Sequence, residues 1–429
     1  MQKVLIITYY WPPAGGPGVQ RWLKFIKYLP EFQIEPIVFV PENPHYPLKD
    51  TSLEEEIPKG IQVLKSPIKE PYKIASFFSR KKTDRISSGI IQDFRKQSLL
   101  ERIFLWIRGN LFIPDARKFW VAPSIKKLSK IIEQKQIDVV VTTGPPHSVH
   151  LIGKGLKEKL NIRWIADFRD PWTTIGYHKK LKLTKASKNR HKRLEKTVLS
   201  QADHLIVTSA TTKLEFERIA TTPISVITNG YDDDLQGTSI PDTSFTLSHI
   251  GSLLTTRNPS DLWLALSELI SENDAFEKAL QIQLIGVVGE SVIESIKSNG
   301  LENYLLLKGY VSHEEVLRYQ STSQILLLLE INSEHTKGII PGKLFEYLNA
   351  QRPILAIGPK DWEAGELVRE HQAGDYVIHG NSKTIKKLLL ERFNQFQAGA
   401  LHCNSIGIEQ YHRRELTKKM AKLLTWESS

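Results

Sequence analysis

Short apolar runs rich in Ile and Val recur along this chain, and each closes on a turn signal. In the first half they cover residues 3–9, 36–40, 138–142, 163–168, 204–208 and 225–228. Runs of this length bounded by turns predict β-strands. Between them lie stretches of helical period, such as 19–29, where Val19, Trp22, Leu23, Ile26 and Leu29 form one stripe. Strand and helix in alternation predict βαβ units, a parallel sheet and helices on both of its faces.

A polar break, YDDDLQGTSIPDT at 231–243, interrupts this pattern. The alternation then restarts, with strand candidates at 245–250, 281–285, 305–310, 325–329, 353–357 and 376–378. Two such series predict an α/β protein of two doubly wound, parallel-sheet, Rossmann-like domains facing a cleft. The expected boundaries are 1–230, 231–403 and a helical tail at 404–429 that crosses back to the first domain. Residues 46–121 break the rhythm and read as an irregular insertion, rich in Lys, Arg and aromatics, with a helix at 99–107.

Composition narrows the class. A chain of 429 residues exceeds one ordinary core. The 41% hydrophobic and 24% charged residues are those of a soluble globular protein. The single cysteine, Cys403, excludes an internal disulfide framework and fits a reducing compartment. Apolarity at the start, residues 4–7, is too short for a signal segment, and no run is long enough to span a bilayer. The net charge of +11 points to an anionic partner: nucleic acid, an anionic membrane surface or a phosphorylated substrate. Residues 179–196 hold nine Lys/Arg against Glu195 alone, with no interleaved aromatics of the kind single-strand stacking needs, which argues against nucleic acid.

The stretch GIIPGKLFEYLNAQRPILAIG at 338–358 is the most informative. Lys343 and Glu346, three apart, share a face of one short helix. A carboxylate suits the hydroxyls of a ribose or sugar, and a lysine beside a helix start suits phosphate. Together they suggest a nucleotide sugar.

Four other places carry candidate chemistry. The loop WPPAGGPG at 11–18 joins the first strand to a helix and is either a phosphate-approaching loop or a tight βα turn. It is neither GxGxxG nor a Walker loop. After the strand at 138–142, His147 either binds a hydroxyl, phosphate or carbonyl, or caps its own helix. WIADFRDPW at 164–172 ends a buried strand with Asp167, Arg169 and Asp170, which either orient a substrate or pair internally. HIGSLLTTR at 249–257 puts Arg257 between a strand end and a helix start, a place for phosphate. Asp232, Asp233 and Asp234 match the acidic signature DxD, but in a linker turn, so no metal is expected.

In order and spacing, these segments resemble a two-domain GT-B glycosyltransferase of the large retaining group called family 4. The pieces are the loop at 11–18, PPHS, ADFRDPW, ITNGYD, HIGSLLTTRNP, GYVSHEEV and PGKLFEYLNAQRPILA. The resemblance implies a nucleotide-sugar donor held mostly by the second domain, with Glu346 on the ribose hydroxyls and basic residues on the leaving diphosphate. It implies donor contacts from Gly15, Gly16 and Gly18, from Gly251, Ser252 and Arg257, and from Lys337, Lys343, Leu344 and Glu346. Catalytic parts fall to His147, Arg257 and Lys343, and orientation of the acceptor to Asp167, Arg169 and Asp170. Two positions depart from the family: Ser252 replaces the first member of the basic pair, and Gly338 the first glutamate of the acidic pair.

The implied function is transfer of a sugar to a glycan or lipid-linked acceptor in cell-surface polysaccharide synthesis, with retention and without a metal or other cofactor. Two alternatives are a nucleotide-sugar epimerase of the same fold and a catalytically degraded scaffold, the latter favoured by Ser252 and Gly338. The expected location is cytoplasmic: either peripheral on the inner face of the membrane, through 179–196 and the aromatic-basic segments 72–85 and 102–108, with Phe77, Phe78, Phe104 and Trp106 as inserting groups, or away from the membrane with these aromatics packed inside the first domain.

Overall fold

The first sheet has strands β1 (Gln2–Thr8), β2 (Ile34–Pro41), β3 (Gln62–Ser66), β4 (Val139–Gly144), β5 (Arg163–Phe168), β6 (His204–Val207) and β7 (Ile224–Val226). Its order is β3-β2-β1-β4-β5-β6-β7. The second sheet has β8 (Phe245–Ile250), β9 (Leu280–Ile285), β10 (Leu305–Gly309), β11 (Ile325–Leu329), β12 (Ile354–Gly358) and β13 (Gly374–Ile378). Its order is β10-β9-β8-β11-β12-β13. Every pairing in both sheets is parallel. This computed structural model describes residues 1–70, 99–179, 181–232 and 240–425. The expected segment 72–85 with Phe77 and Phe78, and Asp233 and Asp234, lie outside the described residues.

The continuous apolar runs are explained by burial on both faces. Val4, Leu5, Ile6 and Ile7 of β1 are wholly buried, as are Leu326, Leu327 and Leu328 of β11. Helix Pro17–Tyr28 lays Val19, Trp22, Leu23 and Ile26 against the first sheet. Fully burying a side chain of this kind is worth about 1.5–3 kcal/mol.

The chain forms two compact units, one of Met1–Thr228 with Arg413–Ser429 and one of Asn229–His412. Helix Arg413–Leu424 buries Leu416, Met420 and Leu424 in the core of the first unit. Residues 404–408 are not helical. The stretch read as an irregular insertion supplies β3, the edge strand of the first sheet. Its residues QVLKS are mostly exposed or half-exposed, so the apolar signal is missing.

In each sheet the strand order reverses once: between β1 and β4, and between β8 and β11. The carboxyl ends of strands at such a reversal are where open α/β sheets bind ligands. Both expected clusters of chemistry lie at these two places.

Candidate functional site

In the second unit the reversal is lined by the ends of β8 and β11 and by helix Lys343–Asn349. Lys343 donates from Nζ to the carbonyl of Ile250 and lies 3.4 Å from Nε2 of His249. His249 is buried, and its Nδ1 lies 3.1 Å from the carbonyl of Leu327. A carbonyl only accepts, so Nδ1 carries the proton and Nε2 offers a lone pair to Lys343. Burial, followed by the Lys343 charge, holds the His249 pKa well below its ordinary value, so the ring is neutral.

Gly251 has φ +118°, and a Cβ there would stand 2.9 Å from Lys343 Nζ. Glycine thus serves both the backbone turn and the room for the ammonium. Burial, then the nearby Arg257, lower the Lys343 pKa to about 7, against the opposing pull of Glu330 and Glu346.

Arg257 ends the short turn Thr255–Arg257 and pairs with Glu330, Nε to Oε1 at 3.1 Å and Nη2 to Oε2 at 3.2 Å. Glu346 is half-buried, and its Oε2 accepts from Nε2 of Gln320 at 2.8 Å. The expected cluster of Lys343, Arg257, Gly251 and Glu346 is therefore in place, with partners that had not been anticipated: His249, Glu330 and Gln320. Glu330 follows the run ILLLL directly. An acid closing a wholly apolar strand is a signal for a buried pair, since an unpaired charge there would be costly.

Two residues in this unit, Leu344 and Lys337, are placed against expectation. Leu344 is wholly buried in the core and its amide donates to Pro341 O at 3.0 Å, so neither faces a ligand. Lys337 is held by Glu334 at 2.7 Å and Asp361 at 3.4 Å, and its charge is already met by two exposed carboxylates. Ser252 is exposed and supplies no charge, and the cation that lies nearest Arg257 in this cluster is Lys343.

In the first unit, Asp167 is not a substrate group. It is wholly buried and accepts from Arg21 Nη2 at 2.9 Å, Arg21 Nε at 3.3 Å, Trp22 Nε1 at 2.7 Å and Thr143 Oγ1 at 2.8 Å. Arg21 also donates to the carbonyls of Ile227 and Thr228 at 2.9 Å and 2.7 Å. The pair ties helix Pro17–Tyr28 to β4, β5 and the end of the unit. Burial alone would raise the Asp167 pKa. The Arg21 charge and the hydrogen bonds outweigh it and hold the group below the ordinary carboxylate range.

Arg169 pairs with neither aspartate by hydrogen bond. It donates from Nε to Gly144 O at 3.2 Å and from Nη2 to Pro145 O, and sits 5.8 Å from the Tyr10 ring centre. A Cβ on Gly18 would fall 2.2 Å from Arg169 Nη1, and one on Gly15 3.0 Å from Leu48. Gly16, with φ +95°, leads into helix Pro17–Tyr28. The glycines of the 11–18 loop thus admit Arg169 and Leu48 to the backbone. Asp170 is half-buried, and burial raises its pKa against the pull of Arg169.

His147 departs furthest from expectation. It precedes helix Ser148–Lys157 without capping it. Asp115 caps instead, accepting the amide and hydroxyl of Ser148, each at 2.8 Å. The His147 ring is 5% exposed and lies flat on Trp172, ring centres 4.9 Å apart. Neither ring nitrogen has a hydrogen-bond partner among the described residues. Burial drives its pKa well down, so the catalytic role expected of it does not follow from this placement.

Further histidines share this neighbourhood. Burial lowers the pKa of His150 to about 3 and of His178 to about 4. Such groups take up protons more readily when unfolded, so their stability contribution is full above the unfolded pKa of about 6.5 and is lost as pH falls below it. At pH 5, His150 alone is expected to cost about 2 kcal/mol. Melting temperature should therefore drop steeply from pH 7 to pH 5. A flat profile over that range would contradict the buried, neutral assignment.

Among the described residues, no group of three or more His, Cys, Asp or Glu is placed to hold a metal ion. Asp232 is buried, and the other two residues of the acidic triplet lie outside the description.

Residues 90–235 match the family model described as Glycosyltransferase Family 4. No curated protein matches the chain. Among solved structures, the chain is similar to S. aureus TarM in complex with fondaparinux, alpha-GlcNAc-glycerol and UDP. That likeness has 12% identity and TM-score 0.60, over 99% of this chain and 100% of the other. It is similar to the trehalose-6-phosphate protein of E. coli bound with UDP-2-fluoro glucose, at 10% identity and TM-score 0.62, over 99% of both chains. A putative UDP-N-acetylglucosamine 2-epimerase from Listeria monocytogenes is also similar, at 11% identity and TM-score 0.54, over 97% and 94%. Residues 90–235 thus resemble the Glycosyltransferase Family 4 model, and the chain as a whole has the two-sheet GT-B fold.

Proposed function

We propose that the protein is a nucleotide-sugar-dependent glycosyltransferase that moves a sugar, with retention, to a glycan or lipid-linked acceptor in cell-surface polysaccharide synthesis. The observation that carries this reading is the grouping of Lys343, Arg257 and Glu346 at the strand reversal of the second unit. The paired similarity to Family 4 and to UDP-bound structures of the same fold supports it.

Breaking the bond from anomeric carbon to phosphate builds negative charge on the leaving diphosphate. Arg257 and the protonated form of Lys343 are cations held in place to meet this charge. Glu346 accepts the ribose hydroxyls with the carboxylate oxygen that Gln320 leaves free. In the first unit, Asp170 and Arg169 remain the candidates for orienting the acceptor, and the loop with Gly15, Gly16 and Gly18 the candidate for a contact to the donor. The direct test is release of nucleoside diphosphate from a nucleotide sugar, slow without acceptor and fast with it. Appearance of only a free epimerised nucleotide sugar would mean an epimerase instead. Absence of turnover despite donor binding would mean a degraded scaffold, the outcome that Ser252 and Gly338 favour.

Charged hydrogen bonds are worth about 1.5–3 kcal/mol. Glu346→Ala is therefore expected to weaken donor binding at least about tenfold while leaving the melting temperature near that of the wild type, because the side chain is half-exposed. Unchanged donor affinity in calorimetry would refute the ribose assignment. No divalent metal is expected to be needed, since the two cations perform the neutralising role. Activity lost with EDTA and restored by Mn²⁺ would overturn this.

A membrane-facing role rests on one surface of the first unit. Ile103, Trp106, Leu111 and Phe119 are 52%, 43%, 54% and 51% exposed. Lys118 stands over the rings of Phe112 and Phe119. Asn110 bonds to Lys182 O and to the amide of Thr184, the cap of helix Lys185–Gln201. That helix exposes Lys185, Lys188, Arg190, Lys192, Arg193 and Lys196. Apolar groups beside a cationic face suit an anionic lipid surface, at about 1 kcal/mol per basic residue. No helix among the described residues is long and apolar enough to cross a membrane. Co-sedimentation with anionic but not neutral vesicles, reduced by high salt and by Trp106→Ser with Phe119→Ser, is the expected result. No binding at low salt would remove the membrane from the account.

A further inference from the structure

Glu330 sits just past β11 with no exposed surface. A buried carboxylate is tolerated when it is paired and fully hydrogen-bonded. Both oxygens grip Arg257, and Oε1 also accepts the amide of Ile331 at 2.8 Å. The backbone is held as firmly. The Glu330 amide donates to Ile357 O at 3.0 Å, and its carbonyl lies 2.8 Å from Nε2 of His379. The carboxylate is therefore an immobile anchor.

Its grip on Arg257 is one-sided. Nε and Nη2 are engaged, while Nη1 has no hydrogen-bond partner among the described residues, on a side chain that is 36% exposed. A guanidinium held along one edge keeps its remaining donors pre-aimed, which is the geometry suited to an oxyanion. Lys343 faces Arg257, Glu330, Glu346, neutral His249 and the carbonyl of Ile250. Without an anion bound, Arg257 and Lys343 repel one another, and Glu330 is the buried charge that offsets this.

We propose that Glu330 is a positioning residue for the donor diphosphate: it aims the free edge of Arg257 and supplies the counter-charge that lets Arg257 and Lys343 stand together before the donor arrives. The proposal rests on the nucleotide-sugar reading above. It separates two contributions of one side chain, its charge and its reach. Glu330→Gln removes the charge and nearly keeps the shape. Glu330→Asp keeps the charge and shortens the reach.

The experiment uses the full chain and UDP, GDP and ADP as probes, with calorimetric affinity followed from about pH 6 to about pH 9 across the Lys343 transition. Wild-type affinity for one of the three is expected to fall as pH rises through the Lys343 pKa, because the anion prefers the protonated lysine. In Glu330→Gln the midpoint of that fall is expected to move down by about half a pH unit or more, since Lys343 has lost a favourable neighbour. In Glu330→Asp the midpoint is expected to stay, while affinity drops about tenfold across the range through the loosened Arg257. A role confined to holding the 330–331 turn would lower the melting temperature of both variants and leave the pH midpoint of the folded protein unmoved. That result overturns the proposal. If Glu330→Gln does not fold, Glu330→Asp decides, and wild-type affinity there overturns it equally. Failure of the wild type itself to bind any of the three nucleotides, at any pH, would instead refute the nucleotide-sugar reading.

Discussion

Lys343→Ala is expected to lower kcat/KM by about 10²–10³, the usual loss when one fixed group that stabilises transition-state charge is removed. The fold should not suffer. Lys343 is half-buried, is pushed toward its neutral form by burial and by Arg257, and anchors little beyond the carbonyl of Ile250. A melting temperature within a few degrees of wild type is the second half of the expectation.

The pH profile distinguishes this lysine from a passive one. With a pKa of about 7 in the unliganded protein, Lys343 is charged below that value and neutral above it. The kcat/KM profile, which reports the free enzyme, should therefore fall as pH rises through about 7. The kcat profile should fall only at higher pH, because bound diphosphate favours the ammonium. Lys343→Arg keeps its charge throughout and should abolish the decline in kcat/KM near pH 7, whatever its absolute rate. Wild-type activity in Lys343→Ala, or a decline near pH 7 that persists in Lys343→Arg, would remove Lys343 from the chemistry.

Asp167→Ala is expected to destabilise the first unit by about 3–5 kcal/mol, because it leaves the Arg21 guanidinium buried without its counter-charge. Arg21 and Asp167 have side-chain exposures of 1% and 0%, so solvent cannot take over the charge. The double replacement Arg21→Met with Asp167→Leu should recover much of the loss, since a buried pair is often exchangeable for apolar groups of similar volume. The folded pKa of Asp167 is depressed, so its contribution is full above the unfolded carboxylate value of about 3.9 and is lost only as pH falls below it. Neutral-pH melting therefore isolates the pair from the histidines, which act between pH 7 and pH 5. A loss of less than about 1 kcal/mol in Asp167→Ala would contradict this role and reopen the acceptor reading.

Strands buried on both faces announced themselves: β11 is wholly apolar, and the limits of β5, β8 and β11 are those expected from sequence. The edge strand β3 did not, because QVLKS buries only Ser66. The shared helix face of Lys343 and Glu346 was legible because helical spacing fixes it locally. Groups whose meaning depends on distant partners were not legible. Asp167 reads as a strand-end carboxylate until Arg21 is found 146 residues away. Arg21 itself reads as the solvent side of an amphipathic helix, yet is 5% exposed. His147 was expected to act on a ligand or cap its helix; Asp115 supplies the cap, and the ring lies buried against Trp172, a placement set by distant partners. Glu330 left a usable trace, a charge closing a wholly apolar strand, whose partner only the fold could name.

The central claim is that Lys343, Arg257 and Glu346 hold the nucleotide diphosphate of a sugar donor. A thermal-shift screen of nucleotide sugars, run in parallel on the wild type, Lys343→Ala and Arg257→Ala, tests it most directly. One donor is expected to raise the wild-type melting temperature, since ligand at 100 times its Kd adds about 2.7 kcal/mol. Lys343→Ala is expected to start near the wild-type melting temperature and Arg257→Ala below it, because Glu330 loses its buried counter-charge; each is expected to lose most of the ligand-induced shift. A nucleotide sugar that stabilises all three proteins equally, or a wild type that none of them stabilises, would contradict the account.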